Sequence, residues 1–513
     1  MTNDFDSAVA ALYSSEHQAL SKEAIRKSAV RRVHTIQDMR EYMLRINNLE
    51  LPQSISIVHI TGTKGKGSTA CLCESILRER HGYKTGLFTS PHLVDIRERI
   101  RIGGRPVSKA VFGEAYWNVR RKLEEHKEEG HLPILPGYFR MMTLVAIYIF
   151  ANYDPSLDVI ILEVGMGGRY DATNIFDMDS RNVVCGVTLL DLDHTRVLGD
   201  TLEQIAWEKG AIFQIKKGSK HGLSPRPSTT KQESVQVVQP GGRCFFAIET
   251  NPACVLKVLH DCAVIEGQGG QLCIVEEDED LEGIEIGLPG SHQRINAALA
   301  TALCDAVAKT SNNTSDEKLL HQALRNAVWP GRCQTVLTSN SNVTLRLDGA
   351  HTPKSLLACL DWYRQVSDSS HRVLIFNCSH ERNPVPLLQQ LHNEGFHSVH
   401  FCPADFERPS GLGKPSAKFL LEEAGFVVTD GRQDETPTWQ ETLAKIWDYL
   451  DAKKGRSTAV TANLKVKETL DRILAVEECS TMDVLVAGSL YLVGSALSAV
   501  DWTEQEAVGR LNT

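Results

Sequence analysis

Thr61-Gly62-Thr63-Lys64-Gly65-Lys66-Gly67-Ser68 sets three glycines, two lysines and three hydroxyls between an apolar β-branched run at 55–60 and a helical pattern at 69–80. Strand, glycine-rich turn and helix together make a phosphate cradle. Glycines let the backbone approach anionic oxygens, and the helix start directs free N–H groups and partial positive charge at them. Lys66 is placed to reach the β/γ-phosphates, and Ser68 or Thr69 to face a magnesium ion. The motif departs from the usual nucleotide pattern because Gly67, not Ser or Thr, follows Lys66. A glycine-rich surface turn is the alternative, and a good strand and helix on either side argue against it.

Four further groups of chemistry-bearing residues sit where apolar runs end. Glu163 closes the run from Val159, and Gly165, Gly167 and Gly168 follow it. A carboxylate there needs a partner, because an unpaired buried charge is costly. A magnesium ion beside a nucleotide supplies one; an ion pair with Arg169 would supply another. Asp191-Leu192-Asp193-His194 ends the next run, which favours a metal role for His194 over a merely satisfied histidine. Ser90-Pro91-His92 follows the run at 85–89, with Ser90 a candidate metal ligand. Arg97, Arg99, Arg101 and Arg105 then stand around Ile96, Ile100 and Ile102, as an anion site or as a charged amphipathic strand. Leu347-Asp348-Gly349-Ala350-His351 ends a later run; Asp348 and His351 could equally be N-caps of the helix that Pro353 opens. Asp200-Thr201-Leu202-Glu203 reads as a capping-box start for a helix over 201–212. That helix carries Lys209, to which periodicity alone gives no special status.

The elements that must position these groups alternate. Strand-like runs at 55–60, 85–89, 159–164 and 183–188, with helical patterns after them, predict βαβ units and a parallel sheet covered on both faces. Ligands of such sheets bind beyond the carboxyl ends of the strands. Helices over 293–308 and 318–328 close this domain, and Trp329-Pro330-Gly331-Arg332 breaks the pattern. New runs at 343–347, 373–376, 398–401 and 484–487 predict a second, smaller α/β domain. The expected division is 1–328 and 329–513. Residues 216–242 are rich in Gly, Ser, Pro, Lys and Gln, and 216–234 reads as an exposed loop or insertion.

At 513 residues the chain exceeds one ordinary core, and 42% hydrophobic with 23% charged residues is a globular composition. A net charge of −9 argues against nucleic acid as a partner. Thirteen cysteines without a C-x-x-C pair suggest reduced thiols, with Cys71 and Cys73 as core residues. The longest apolar helical run, 141–150, is too short to span a bilayer. The start, with Asp4 and Asp6, lacks the features of a secretory leader and makes a poor mitochondrial one.

Over most of its length the chain resembles the folylpolyglutamate synthases of eukaryotic type, ATP-dependent amide ligases related to the bacterial Mur ligases. The resemblance rests on His59 to Ser68, Ser90-Pro91-His92-Leu93 with Arg97-Glu98-Arg99-Ile100, and Glu163-Val164-Gly165-Met166-Gly167-Gly168. It continues through Asp193-His194-Thr195, Trp207-Glu208-Lys209-Gly210, His292-Gln293 with Asn296-Ala297, Trp329-Pro330-Gly331-Arg332 and Asp348-Gly349-Ala350-His351-Thr352. It implies an N-terminal P-loop ATPase domain of Mur-ligase type and a smaller Rossmann-like domain. Thr63, Lys64, Gly65, Lys66, Gly67, Ser68, Thr69, His292, Gln293, Asn296, Arg332 and Asp348 are the implied ATP contacts. Ser90, Glu163 and His194 are the implied magnesium ligands. Lys66, Lys209, His194, Asp348 and His351 are the implied catalytic set, with Lys209 matching a lysine that relatives carry as a carbamate. Arg97, Arg99 and Tyr138 are candidates for the folate. The implied reaction joins L-glutamate to tetrahydrofolate or its polyglutamates through an acyl phosphate, with ATP and Mg2+ and room for a monovalent cation. Expected with it are a monomer, no nucleic acid, no integral membrane segment, and a cytoplasmic protein with a mitochondrial form. Dihydrofolate synthase shares the fold, and a silent nucleotide-binding folate sensor is the rival from another class; four intact polar groups, Lys66, Glu163, His194 and Lys209, argue for an enzyme. Residues 216–250 fall outside the resemblance, as a lineage insertion or a faulty splice product, and Cys378-Ser379-His380-Glu381-Arg382-Asn383 lacks an expected aspartate, so no role is assigned there.

Overall fold

The structure is a computed structural model that describes residues 4–14, 33–126, 132–176, 178, 182–214, 243–277, 281, 283–308, 317–367, 369, 371–380, 383–405, 415–427, 438–476 and 481–503. The chain forms two compact units. The first comprises Met1–Ser90, Ile96–Gly287 and Gln293–Ala327; the second comprises Pro91–Asp95, Leu288–His292 and Val328–Thr513.

The first unit is built on eight strands: β1 Ser56–Thr61, β2 Thr85–Phe88, β3 Ile100–Ile102, β4 Arg105–Pro106, β5 Val159–Glu163, β6 Val183–Val187, β7 Cys244–Ile248 and β8 Gln271–Val275. Their order is β4-β3-β2-β5-β1-β6-β7-β8. At one edge β2 pairs antiparallel with β3 and β3 antiparallel with β4; the other pairings are parallel. β1 lies between β5 and β6, with Ile60 level with Glu163 and with Gly186. Successive side chains point to opposite faces. Ile57 joins a core packed by the helices Lys109–Glu125 and Tyr138–Ala151, while Val58 and Ile60 are buried as fully on the other face. The helix Lys66–Glu79 is buried along most of its length, and its Cys71 and Cys73 are core residues.

Three details differ from the sequence expectations. The helix after the cradle begins at Lys66, three residues before the expected start, so the last cradle residues form its first turn. The later helix Leu202–Gly210 is capped by Thr201, whose side chain accepts from Gln204 N–H; the expected box is not closed, because Gln204 Oε1 accepts from Asp200 N–H instead. Residues 244–248, expected within a stretch without counterpart, are the parallel strand β7, in register with β6 and β8. The expected loop at 216–234 lies outside the described residues.

The second unit holds β9 Gln334–Leu337, β10 Val343–Leu347, β11 His371–Phe376, β12 Ser398–Phe401, β13 Ala459–Ala462 and β14 Met482–Ala487, ordered β13-β12-β11-β14-β10-β9. Only β9 runs antiparallel to its neighbour. Leu374, Phe376 and Leu485 face one apolar core, and Val373, Ile375 and Val484 face the other. Among the described residues no helix is long and apolar enough to cross a membrane.

Candidate active site

In the first unit the site is assembled at the ends of β1, β5 and β6. Gly62 has φ +153 and Gly65 φ +89. A Cβ on Gly62 would stand 1.8 Å from Thr188 Oγ1, and one on Gly65 2.5 Å from Asn296 Oδ1. Both positions therefore require glycine, by space and, at Gly65, by its left-handed backbone. Thr63 N–H and Lys64 N–H donate to the Leu189 carbonyl at 2.9 and 3.0 Å. Behind the loop, buried Asn296 donates to Gln293 Oε1 at 2.9 Å, while Gln293 Nε2 and Ser68 Oγ lie 3.5 Å apart. Thr69 Oγ1 completes the group, 3.5 Å from Asn296 Oδ1. Ser68, Thr69, Gln293 and Asn296 are thus brought together.

Glu163, 4% exposed at the tip of β5, accepts from Ser90 N–H at 2.9 Å. Its other oxygen is 3.9 Å from Lys66 Nζ. Arg169, the alternative partner weighed for it, ion-pairs with Glu266 and stacks 3.4 Å from the Trp207 ring centroid. Lys64 Nζ lies 3.7 Å from Asp193 Oδ2, and Asp193 Oδ1 accepts from His194 N–H at 2.9 Å. His194 holds a left-handed backbone at φ 52 at the start of the short helix Thr195–Leu198. Lys209 is buried, and its Nζ donates to the Gly62 carbonyl at 2.7 Å. Burial, and after it the nearby Lys66 cation, hold the Lys209 pKa well below the usual lysine range, against the pull of Asp193, Asp171 and Glu208.

Among the described residues no group of three or more His, Cys, Asp or Glu is gathered as for a metal cage. That is compatible with magnesium, which keeps waters and is held by one or two carboxylates plus substrate phosphates. A buried carboxylate beside a glycine cradle is such a donor set.

The candidate folate residues divide into two places. Arg99, buried, stacks over the Tyr138 ring at 5.5 Å, and Tyr13 stacks on the same ring at 5.5 Å. Arg97 instead lies over Phe5 at 5.5 Å and donates to the Val107 carbonyl at 3.2 Å.

Asp348, Arg332, His351 and His292 belong to the second unit. Asp348 accepts from Cys333 N–H and Ala350 N–H, each at 2.8 Å. The helix Pro353–Val366 is capped by Thr352 in a capping box with Ser355, so neither Asp348 nor His351 caps it. His351 Nδ1 is 2.7 Å from the Gly349 carbonyl. His292 is held below the usual histidine range by burial, with Asp348 raising and Arg332 lowering it. The adjacent pair His292-Gln293, expected to act together, is therefore split between the two units.

Sequence reasoning missed a buried relay under the Glu163 loop. His59 Nε2 and Thr173 Oγ1 are 2.9 Å apart, Thr173 donates to Asp171 Oδ1 at 2.6 Å, and Asp171 Oδ2 accepts from Met166 N–H at 3.1 Å. Burial raises the Asp171 pKa despite those bonds. The relay ties the glycine-rich loop to β1. Residues 114 apart in the chain carry no local signal of it.

A phosphate cradle on a parallel-dominated sheet, with a second α/β unit, is the fold of the Mur-ligase type. Solved structures share it: E. coli FolC in complex with DHPP and ADP (TM-score 0.63, 24% identity, 92% of each chain), apo L. casei FPGS (0.66, 19%, 96% of this chain and 98% of that one), and a bifunctional folylpolyglutamate synthase/dihydrofolate synthase from Yersinia pestis complexed with AMPPNP and Mn ion (0.67, 23%, 98% of each). No family model matches the chain. The mitochondrial folylpolyglutamate synthases of Bos taurus and Homo sapiens are 36% and 37% identical over 425 and 427 residues, 77% of this chain in each case. The chain spans 66% and 65% of their lengths. The folylpolyglutamate synthase of Saccharomyces cerevisiae (strain YJM789) is 33% identical over 516 residues, 96% of this chain and 86% of that one. The chain belongs to the folylpolyglutamate synthase family.

Proposed function

We propose that the protein is an ATP-dependent ligase that adds L-glutamate to the γ-carboxyl of tetrahydrofolate and its polyglutamates, which retains folates in the cell for one-carbon metabolism. The observation that carries this reading is Glu163: a buried carboxylate at a strand tip, 3.9 Å from the cradle lysine Lys66, in a chain of this family.

A carboxylate acylates poorly because its leaving group would be oxide. Phosphorylation by ATP makes an acyl phosphate, the glutamate amine attacks the carbonyl, and inorganic phosphate leaves with the C–O bond. The cradle backbone, Ser68 and Thr69 bind the phosphates, and Lys66 offsets charge on the transferred group. Ser90, Glu163 and His194 would hold magnesium, which supplies further positive charge to the phosphoryl oxygens. Lys209 is the residue assigned to the carbamate. Only a neutral amine attacks carbon dioxide, and burial favours the neutral form. Gln293 and Asn296 brace the cradle helix behind the phosphates. Arg99 with Tyr138 offers a cation on an aromatic face for the folate. In the second unit, Arg332, Asp348, His351 and His292 are assigned to the nucleotide and the incoming amino acid.

We place the protein in the cytoplasm, as a monomer, with a mitochondrial form as well; the Bos taurus and Homo sapiens relatives carry mitochondrial names. The deciding assay incubates the protein with tetrahydrofolate, L-glutamate and MgATP and reads the mass of the folate. Successive glutamate increments support the reading. Increments only with dihydropteroate would move the protein to dihydrofolate synthesis, and none with either would make it a binding protein.

A further inference from the structure

The strand pairing that supports the cradle stops one residue before the cradle needs it. β6 ends at Val187, level with Thr61 on one side and Ala247 on the other. Beyond it, residues 188–191 strap the cradle down. Thr188 N–H donates to the Thr61 carbonyl at 2.9 Å, and the Leu189 carbonyl takes both Thr63 N–H and Lys64 N–H. Thr63 Oγ1 donates to the Asp191 carbonyl at 3.2 Å. This strap has left the sheet on its β7 side, so something else must fix it there.

We propose that Asn251, in the turn after β7, is a positioning residue for the phosphate cradle. Its side-chain Oδ1 accepts from Leu190 N–H at 2.8 Å, and its Nδ2 donates to the Thr188 carbonyl at 3.2 Å. In a parallel ladder, one residue's peptide groups bond the two residues that flank a position on the neighbouring strand. Asn251 does this with its side-chain amide, flanking Leu189. The amide ties the strap to the β7 side after the β7 backbone has turned away, and it leaves the Leu189 carbonyl to the cradle. A second Nδ2 contact, 3.2 Å to the Ile248 carbonyl, anchors the amide to the end of β7 itself. Asn251 is 3% exposed, so water cannot replace these bonds without rearrangement. The strand the sequence left outside the recognised pattern is thereby part of the nucleotide site. An aspartate would keep the acceptor and lose both donated bonds; a leucine would keep the size and lose all three.

The test compares Asn251→Leu and Asn251→Asp with Leu259→Ala, a cavity made in the helix Ala253–Ile265 of the same core. Amide hydrogen exchange over residues 61–66 and MgADP affinity are read by mass spectrometry and calorimetry. Loss of the clip is expected to speed exchange at Thr63 and Lys64 about tenfold and weaken MgADP about tenfold in Asn251→Leu, the ratio one good hydrogen-bonded contact sets. Asn251→Asp should fall on the same side, and Leu259→Ala should leave both readouts near the wild type. The proposal is overturned if cradle exchange is unchanged in the Asn251 variants, or if Leu259→Ala changes it as much. Should Asn251→Leu fail to fold, Asn251→Asp decides by the same readouts. The binding arm rests on the nucleotide reading; wild-type protein that ignores MgADP would refute that reading, while the exchange arm would still decide the clip.

Discussion

Replacing Glu163 with glutamine removes one negative charge and almost no volume. At the observed 3.9 Å separation from Lys66 Nζ, a unit charge pair is worth ~4 kcal/mol at an effective dielectric of 20. That is an upper bound, because the Lys66 side chain is 17% exposed and solvent screens it. The fold should tolerate the change. The Gln amide oxygen can still accept from Ser90 N–H, and deleting a buried charge recovers desolvation energy that offsets the lost attraction. We expect unfolding free energy to move by no more than about 1 kcal/mol. Turnover should respond far more. Loss of one preorganised charge at a transferring phosphoryl group costs about a hundred- to a thousandfold in kcat, or ~3–4 kcal/mol. The assay measures kcat for glutamate incorporation at saturating MgATP, with Tm recorded on the same preparation. A kcat within threefold of the wild type would refute the metal-site reading of Glu163. So would a Tm collapse large enough to account for the lost activity.

Lys209→Met tests the buried amine through pH. Since the folded pKa is depressed, the unfolded chain binds a proton that the folded one lacks between that pKa and about 10.4. Wild-type stability therefore falls as pH drops through this window, by ~1.4 kcal/mol per pH unit, and levels off below it. Urea unfolding at graded alkaline pH should show that slope in the wild type minus the variant; parallel curves would contradict it. Gly65→Ala, whose Cβ would meet Asn296 Oδ1 at 2.5 Å with φ +89, should cost about 1–3 kcal/mol of stability and weaken MgADP in calorimetry. Arg99→Met removes the cation stacked on Tyr138 and should raise the folate KM about tenfold, ~1.4 kcal/mol, with the KM for MgATP unchanged in the same initial-rate series.

The parts of this site that the sequence announces are those built by neighbours in the chain. β1, the glycine turn and the helix after it form one continuous segment, so the residue types alone imply the cradle. Glu163 and Asp348 end apolar runs, and a charge that closes such a run signals a strand tip. Lys209 was invisible to periodicity, because its environment comes from Gly62 and Lys66, 147 and 143 positions away; only resemblance reached it. Other partners distant in the chain escaped as well. Arg169 finds Glu266, Asp171 finds His59 through Thr173, and Asn251 finds Thr188 and Leu190. β7 escaped for another reason: its five residues follow a long polar stretch, and the run Cys244–Ile248 is too short to outweigh it. The split of His292 from Gln293 is a matter of tertiary topology, since the chain leaves one unit and enters the other between them.

In the proposed reaction, ATP converts a folate carboxylate into an acyl phosphate. Folate carrying heavy oxygen in its terminal γ-carboxyl should, after one round of glutamate addition, deliver one labelled oxygen to the released inorganic phosphate. Product formed with label-free phosphate would contradict the mechanism.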